Sequence, residues 1–168
     1  MAYFEDLTLY TYEQNPVWGD EITQAYPEAL NIGWLDQEQP FPTSTEPPDP
    51  LLLRRLLAHT AHPVRLMLGF HQCHLCPHAP EDGARLRIRI GDRELFLDNG
   101  EVLVVGREGQ AFRAPIMLYH YITVHYYRPP EIFGEALRES VPSAGEQVEA
   151  AAHPQRLAWA ERLLQSVG

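Results

Sequence analysis

A chain of 168 residues, of which 45% are hydrophobic, is long enough to bury one sizeable core. No apolar run approaches the ~18 residues that a membrane-spanning helix needs, so we expect no membrane partner. The formal net charge of −10 repels phosphate backbones, which argues against a nucleic-acid partner.

The N-terminal stretch "MAYFEDLTLY" is acidic and aromatic, and it lacks the basic start and apolar centre of a signal peptide. We therefore expect a cytoplasmic location. In a reducing compartment, the two cysteines of the chain are more often metal ligands or free thiols than a disulfide.

Residues 1–48 are predicted to form an irregular segment, because they are rich in aromatic residues and proline and show little periodicity. Within them, "YFEDLTLYTY" predicts a short strand that buries Phe4, Leu7 and Leu9, and "NIGWLD" predicts a second short apolar segment. The prolines of "QPFPTSTEPPDP" block helical hydrogen bonds and sheet pairing, so this stretch is predicted to be a loop.

Residues 49–139 are predicted to carry most of the helices and strands. A helix begins after Asp49, a good N-cap, with Pro50 at its first position. The alternating "RLRIRI" opens an antiparallel meander over residues 84–113, which continues through "RELFL", "EVLVV" and "QAFR". Two further helices are predicted over "APIMLYHYITVHYY" and "EIFGEALRES", with "RPP" between them.

Residues 140–168 are predicted to extend the domain with a C-terminal helix, "HPQRLAWAERLLQS". The sequence contains no internal repeat and no linker between domains, so we expect residues 1–168 to form a single domain. The predicted fold class is α+β, with a small antiparallel β-meander packed against several helices.

The stretch "GFHQCHLCPH" concentrates three histidines and both cysteines of the chain. Cys73 and Cys76 form C-x-x-C, whose tight turn aims two sulfurs at one point, as in half of a tetrahedral zinc site. Downstream, His120 and His125 form H-x₄-H, a spacing that zinc sites use. The predicted meander lies between the two pairs. We therefore predict a zinc ion bound by these four residues at the junction of sheet and helix.

The choice of histidines stays open at this point. Residues five apart on an ideal helix point about 140° from each other, so His125 reaches the same metal only if the helix tightens or unwinds there. His71 is the main alternative to His125 as a ligand. Otherwise it contacts one of the ligands, or it lies beside an open coordination position of the metal. The alternative interpretation of His120 is a hydrogen-bonded histidine of the core that binds no metal. His74 and His78 are expected to face water.

Three functions compete. With four protein ligands, zinc is structural, and the protein is a binding module for an unknown protein or small-molecule partner. With three ligands, a bound water is activated, and the protein is a zinc-dependent hydrolase with His71 or Glu131 as general base. Nucleic-acid binding through the arginines of "RLRIRI" and Arg93 competes with a simpler explanation, a solvated strand face. Thioredoxin-type chemistry is disfavoured, because prolines after the C-x-x-C prevent the helix that it requires.

The chain also resembles a known family in five stretches that occur in the same order. They are "YFEDLTLYTY", "NIGWLD", "GFHQCHLC", "NGEVLVVGREGQAFRAP" and "LYHYITVHYYRPPEIFGEAL". The resemblance is to an uncharacterised family of small bacterial proteins, and it covers roughly residues 3–139. The histidines and cysteines of that family match His71, Cys73, Cys76, His120 and His125, so the resemblance implies that these are site residues. It implies no substrate. An acidic residue often replaces His74 in that family, which implies that His74 is not essential.

Overall fold

The computed structural model describes residues 3–11, 25–67, 69–77, 85–90 and 93–140. Within these ranges the strands are β1 (Leu30–Asn31), β2 (Arg65–Leu66), β3 (Arg87–Ile90), β4 (Arg93–Phe96), β5 (Gly100–Val105) and β6 (Ala111–Pro115). The helices are α1 (Pro50–Ala61), α2 (Leu118–Val124) and α3 (Glu131–Glu139). The predicted α+β fold class is therefore confirmed. None of these helices combines the length and the apolar character needed to cross a bilayer.

The main sheet has four strands in the order β1-β6-β5-β2. β5 pairs antiparallel with β2 and β6, while β6 pairs in parallel with β1. Because β5 is central and covered on both faces, its residues are almost all buried, which explains the continuous apolar run of "VLVV". Gly100 opens this strand, and an added Cβ would lie 2.8 Å from the carbonyl oxygen of Arg65. The close approach of β2 to β5 therefore requires glycine there.

The helices cover one face of the main sheet. The core on this side is formed by alternate residues of β5 and β6 and by apolar residues of all three helices. Its buried members include Val102, Val104, Phe112, Ala114, Leu56, Leu118, Phe133 and Leu137. α1 begins as predicted, because the Asp49 carboxylate accepts a hydrogen bond of 2.9 Å from the N–H of Leu51, and Pro50 is its first residue.

The N-terminal residues cover the opposite face, where Tyr10 and Trp34 pack against Leu103. This face also buries an ion pair. Arg113 Nη2 donates to Glu101 Oε2 at 2.7 Å, and the Tyr10 hydroxyl donates to the same oxygen at 2.8 Å. Since the side chains of Arg113 and Glu101 are 2% and 0% exposed, the two charges are removed from water.

The strands predicted as one meander are all present, but they divide between two sheets. β3 and β4 form a separate two-stranded hairpin, whereas β5 and β6 belong to the main sheet. The alternation of "RLRIRI" is confirmed, because the isoleucines of β3 are half-buried and its arginines are exposed. Local alternation fixes which residues of a strand face inward, but it does not fix which other strand they pair with.

Two local predictions were wrong. Leu7 and Leu9 are 43% and 46% exposed instead of buried, while Tyr10 is buried. The expected strand is interrupted because Leu7 has a φ of 64°, and Phe4 and Leu9 form only isolated bridges. The helix over "APIMLYHYITVHYY" is also shorter than predicted, because its first residues pair with β5 as the end of β6.

The helix predicted over "HPQRLAWAERLLQS" lies outside the described residues. The single-domain organisation over residues 1–168 therefore stays a prediction. The described part of the C-terminal region ends at Ser140, which is buried and directly follows α3.

Replacing Arg113 with Met should lower the free energy of unfolding by about 3–5 kcal/mol, because the Glu101 carboxylate then stays buried without its cation. Arg107 pairs with Glu139 at 3.5 Å and is 79% exposed, so Arg107→Met is the matched control and should leave stability close to wild type. Urea unfolding of the three proteins measures the difference. Equal losses of unfolding free energy in Arg113→Met and Arg107→Met would show that the buried Glu101–Arg113 pair contributes no more than an exposed one.

His59 should make stability depend on pH. Its Nδ1–H donates to the carbonyl of Leu103 at 3.1 Å, and the Ser140 hydroxyl donates to Nε2 at 2.8 Å, which requires the neutral ring. Burial lowers the pKa of His59 from 6.5 to about 4. The stabilisation is complete above pH 6.5 and is lost as pH falls to 4, since the unfolded chain then binds the extra proton.

The contribution of His59 across this pH window is about 3 kcal/mol. The stability advantage of wild type over His59→Gln should therefore shrink by that amount between pH 7 and pH 4, as measured by urea unfolding. Parallel pH curves for the two proteins would contradict this prediction.

Candidate metal centre

Four side chains converge on one point between the loop that precedes the hairpin and the end of α2. Cys73, Cys76, His120 and His125 each offer one ligand atom, and these four atoms all lie within 4.8 Å of one another. His120 is buried, and the other three are half-buried. The residues that the sequence selected for zinc are thus brought together by the fold, although 44 residues separate Cys76 from His120.

Four of the six separations between these atoms lie close to those between the ligands of a tetrahedral metal ion. Cys73 Sγ lies 3.2 Å from His125 Nε2, and Cys76 Sγ lies 3.3 Å from His120 Nε2 and 3.4 Å from His125 Nε2. The two Nε2 atoms are 3.2 Å apart. Tetrahedral zinc, with its usual bond lengths, requires about 3.4 Å between two nitrogens and about 3.6 Å between nitrogen and sulfur. The donor set therefore fits a metal ion with only small adjustments.

The two cysteines lie on a tight turn, not on a helix. The backbone N–H groups of Leu75 and Cys76 donate to Cys73 Sγ, which supports a thiolate at that position. No helix is assigned to the described residues 69–77, so the arrangement that activates a thioredoxin-type thiol is missing from this loop. The turn places both sulfurs close to the two histidine nitrogens.

The position of His125 removes the geometric difficulty raised by the sequence. α2 ends at Val124, and His125 is the residue that caps it, with a φ of −103° instead of the helical value near −63°. The next residue, Tyr126, has a φ of 56°, so the chain turns away at once. The helix ends where an ideal helix would have carried His125 away from His120.

Burial sets the protonation of the site. It lowers the pKa of His120 to about 4, with His125 adding to the effect, and it lowers the pKa of His125 as well. Both imidazoles are therefore neutral near pH 7, which is the form that coordinates metals. Burial raises the pKa of the Cys73 thiol to about 11, so a thiolate at this position needs a cation beside it. A divalent metal held by the four donors would supply that cation.

His71 and His74 do not belong to the convergent group. Their rings pack against each other with centroids 4.9 Å apart, and the N–H of His71 donates to the carbonyl of Asp98 at 2.7 Å. Burial lowers the pKa of His71 to about 4. His71 also lines a cavity of about 130 Å³ together with Trp34 and Phe70. His78 lies outside the described residues.

Three arginines of "RLRIRI" pair with carboxylates of the protein. Arg85 donates to both carboxylate oxygens of Asp98, at 2.9 and 2.6 Å, and its guanidinium lies 4.0 Å from the ring centroids of Phe70 and Phe96. Arg87 and Arg89 are exposed and lie 3.3 and 3.6 Å from the Glu94 carboxylate. Exposed ion pairs such as these two are common on solvated strand faces.

The sequence did not single out Asp6, which contacts Tyr127, two residues after His125 in the chain. The Tyr127 hydroxyl donates to Asp6 Oδ2 at 2.6 Å, and Asp6 Oδ1 accepts from the N–H of Gly33 at 2.8 Å. Gly33 has a φ of 67°, and an added Cβ would lie 2.5 Å from Leu118. Asp6, Gly33 and Tyr127 all fall within the stretches that carry the family resemblance. That position was the signal by which the sequence could have identified them.

A family model describes the same part of the chain. The model named domain of unknown function DUF7919 matches residues 2–138. The chain belongs to the DUF7919 family. The match spans all four convergent residues and ends before the C-terminal residues 139–168, as the resemblance in the sequence indicated. Comparisons with curated proteins and with solved structures found no match.

His74→Ala should keep the metal content and the melting temperature of wild type, because His74 is exposed and lies outside the convergent group. His120→Ala, the matched removal of a histidine inside the group, should lose most of the metal. Elemental analysis and thermal unfolding of both variants measure the difference. Metal loss in His74→Ala would mean that the assigned histidines are the wrong ones.

Proposed function

We propose that this DUF7919 protein is a small bacterial cytosolic binding module that is held together by a structural zinc ion. The observation that carries the proposal is the convergence of two cysteine sulfurs and two histidine nitrogens within 4.8 Å. Two thiolates and two neutral imidazoles in a tetrahedral arrangement are the donors that zinc prefers. A cytosolic location agrees with two cysteines that are free thiols instead of a disulfide.

A structural role is favoured over a catalytic one by the number of ligands. Four protein donors complete the coordination of zinc and leave no position for a reactive water. The cavities of about 790 Å³, 390 Å³ and 130 Å³ among the described residues agree with this, because all three are lined by residues other than the four convergent ones. A metal-dependent hydrolase needs the substrate pocket to open onto the ion.

Zinc would join two parts of the chain that lie far apart in sequence. The cysteines belong to a short loop, whereas His120 lies in α2 and His125 directly follows it. Binding can contribute on the order of 10 kcal/mol in isolated zinc fingers. The contribution to overall unfolding is smaller here, since the described residues already form a buried apolar core between helices and sheet.

The proposed binding surface for the partner is the cavity of about 790 Å³. Its volume is within the range of ligand sites, and its walls include Pro42, Leu52, Tyr126, Arg128 and Arg138. The Tyr126 ring is 59% exposed and lies directly after His125. Zinc binding at His125 would therefore also fix one wall of this cavity.

Purified protein that has never met a chelator should carry about one zinc ion per chain, as the single site requires. Cys73→Ser should lower the zinc content to near zero and reduce the melting temperature, because a hydroxyl replaces a thiolate ligand. His74→Ala, purified in parallel, controls for metal lost during handling. Elemental analysis and thermal unfolding provide the readouts. A metal-free wild-type protein, or a Cys73→Ser variant with unchanged zinc and melting temperature, would refute the proposal.

A further inference from the structure

The chain reverses direction directly after His125, and the reversal is strained. Tyr126 has a φ of 56°, in the left-handed region that bulky residues rarely adopt. A residue keeps such a conformation only where the surrounding contacts hold it there. The contacts that hold Tyr126 therefore also decide where its neighbour His125 is placed.

Backbone hydrogen bonds hold the reversal from two sides. The carbonyl of Tyr126 accepts a hydrogen bond of 2.8 Å from the N–H of Ser44, in the loop before α1. The N–H of Tyr127 donates to the carbonyl of Tyr121 at 3.0 Å, which ties it back to α2. Both bonds are made by the peptide group that joins Tyr126 to Tyr127.

The anchor of Tyr127 is Asp6. Tyr127 is 1% exposed, and its hydroxyl donates to Asp6 Oδ2 at 2.6 Å, a short charge-assisted hydrogen bond. The other oxygen of Asp6 accepts from the N–H of Gly33 at 2.8 Å. The Asp6 carboxylate thus connects the N-terminal segment to Gly33, which follows β1, and to Tyr127, which follows the left-handed residue Tyr126.

We propose that Asp6 and Tyr127 are positioning residues of the metal site. Their hydrogen bond holds Tyr126 in the left-handed conformation and so keeps His125 Nε2 at the point where the other three donors meet. This inference rests on the proposed zinc site. Because ligands that are already in place bind metal more tightly, loss of this bond should weaken metal affinity without removing any ligand.

The test is Co²⁺ titration of the metal-free full-length protein, followed by the visible absorption of tetrahedral Co²⁺. Tyr127→Phe should weaken Co²⁺ affinity by about tenfold, as expected for one hydrogen bond to a charged group. Tyr10→Phe is the matched control, because it removes a buried hydroxyl that donates to Glu101 at 2.8 Å on the opposite face of the sheet. It should lower stability and leave Co²⁺ affinity unchanged.

A rescue separates positioning from general stability. Tyr126→Gly relieves the backbone strain, since glycine adopts positive φ freely. In the double variant, Tyr126→Gly with Tyr127→Phe, most of the lost Co²⁺ affinity should return. Asp6→Asn, which leaves one acceptor oxygen for two donors, is a milder second variant if Tyr127→Phe does not fold, and it should weaken affinity in the same direction.

The outcomes are distinct. Wild-type protein that takes up no Co²⁺ refutes the proposed metal site itself. Wild-type protein that binds Co²⁺ while Tyr127→Phe and Asp6→Asn bind it equally well refutes only the positioning role. Equal weakening by Tyr10→Phe and Tyr127→Phe also refutes it, because the effect is then one of general stability. Selective weakening that Tyr126→Gly reverses supports it.

Discussion

The convergence of two sulfurs and two imidazole nitrogens is the interaction on which the proposed role depends. Cys73 and Cys76 come from a turn with no helix or strand of its own, whereas His120 is the third residue of the seven-residue helix α2 and His125 directly follows that helix. Burial keeps the histidines neutral and makes an isolated thiolate costly. A divalent cation resolves both conditions, because it binds neutral imidazole and stabilises thiolate.

The rest of the fold positions these two elements without the metal. The main sheet is covered on one face by helices and on the other by N-terminal residues. A buried pair, Glu101 and Arg113, fixes the second face, with the Tyr10 hydroxyl completing the hydrogen bonds of the carboxylate. Buried charges of this kind are tolerated only when paired, and the Tyr10 hydroxyl links the N-terminal segment to this pair.

The stretches that carry the family resemblance are joined in space by a small number of hydrogen bonds. Asp6 of the first stretch contacts Gly33 of the second and Tyr127 of the last. The Asn31 side chain donates to Thr8 and to the carbonyl of Leu9, which closes the same N-terminal turn. The first, second and last of these motifs are therefore connected in space, even though they are far apart in the chain.

The start of α1, the inward residues of β3 and the α+β class could be predicted from the sequence, because capping and period-two alternation are local properties. Residue spacing also pointed to four candidate donors, but it left the choice between His71 and His125 open. Contacts between distant residues set the division of the strands between two sheets, the exposure of Leu7 and the end of α2 at Val124. Strand pairing and the left-handed turn at Tyr126 depend on contacts with residues distant in the chain, such as Asp6. The spacing of residues in the chain does not reveal those contacts. On an ideal helix, His120 and His125 would point in different directions, whereas the end of α2 at Val124 allows both to reach the same point.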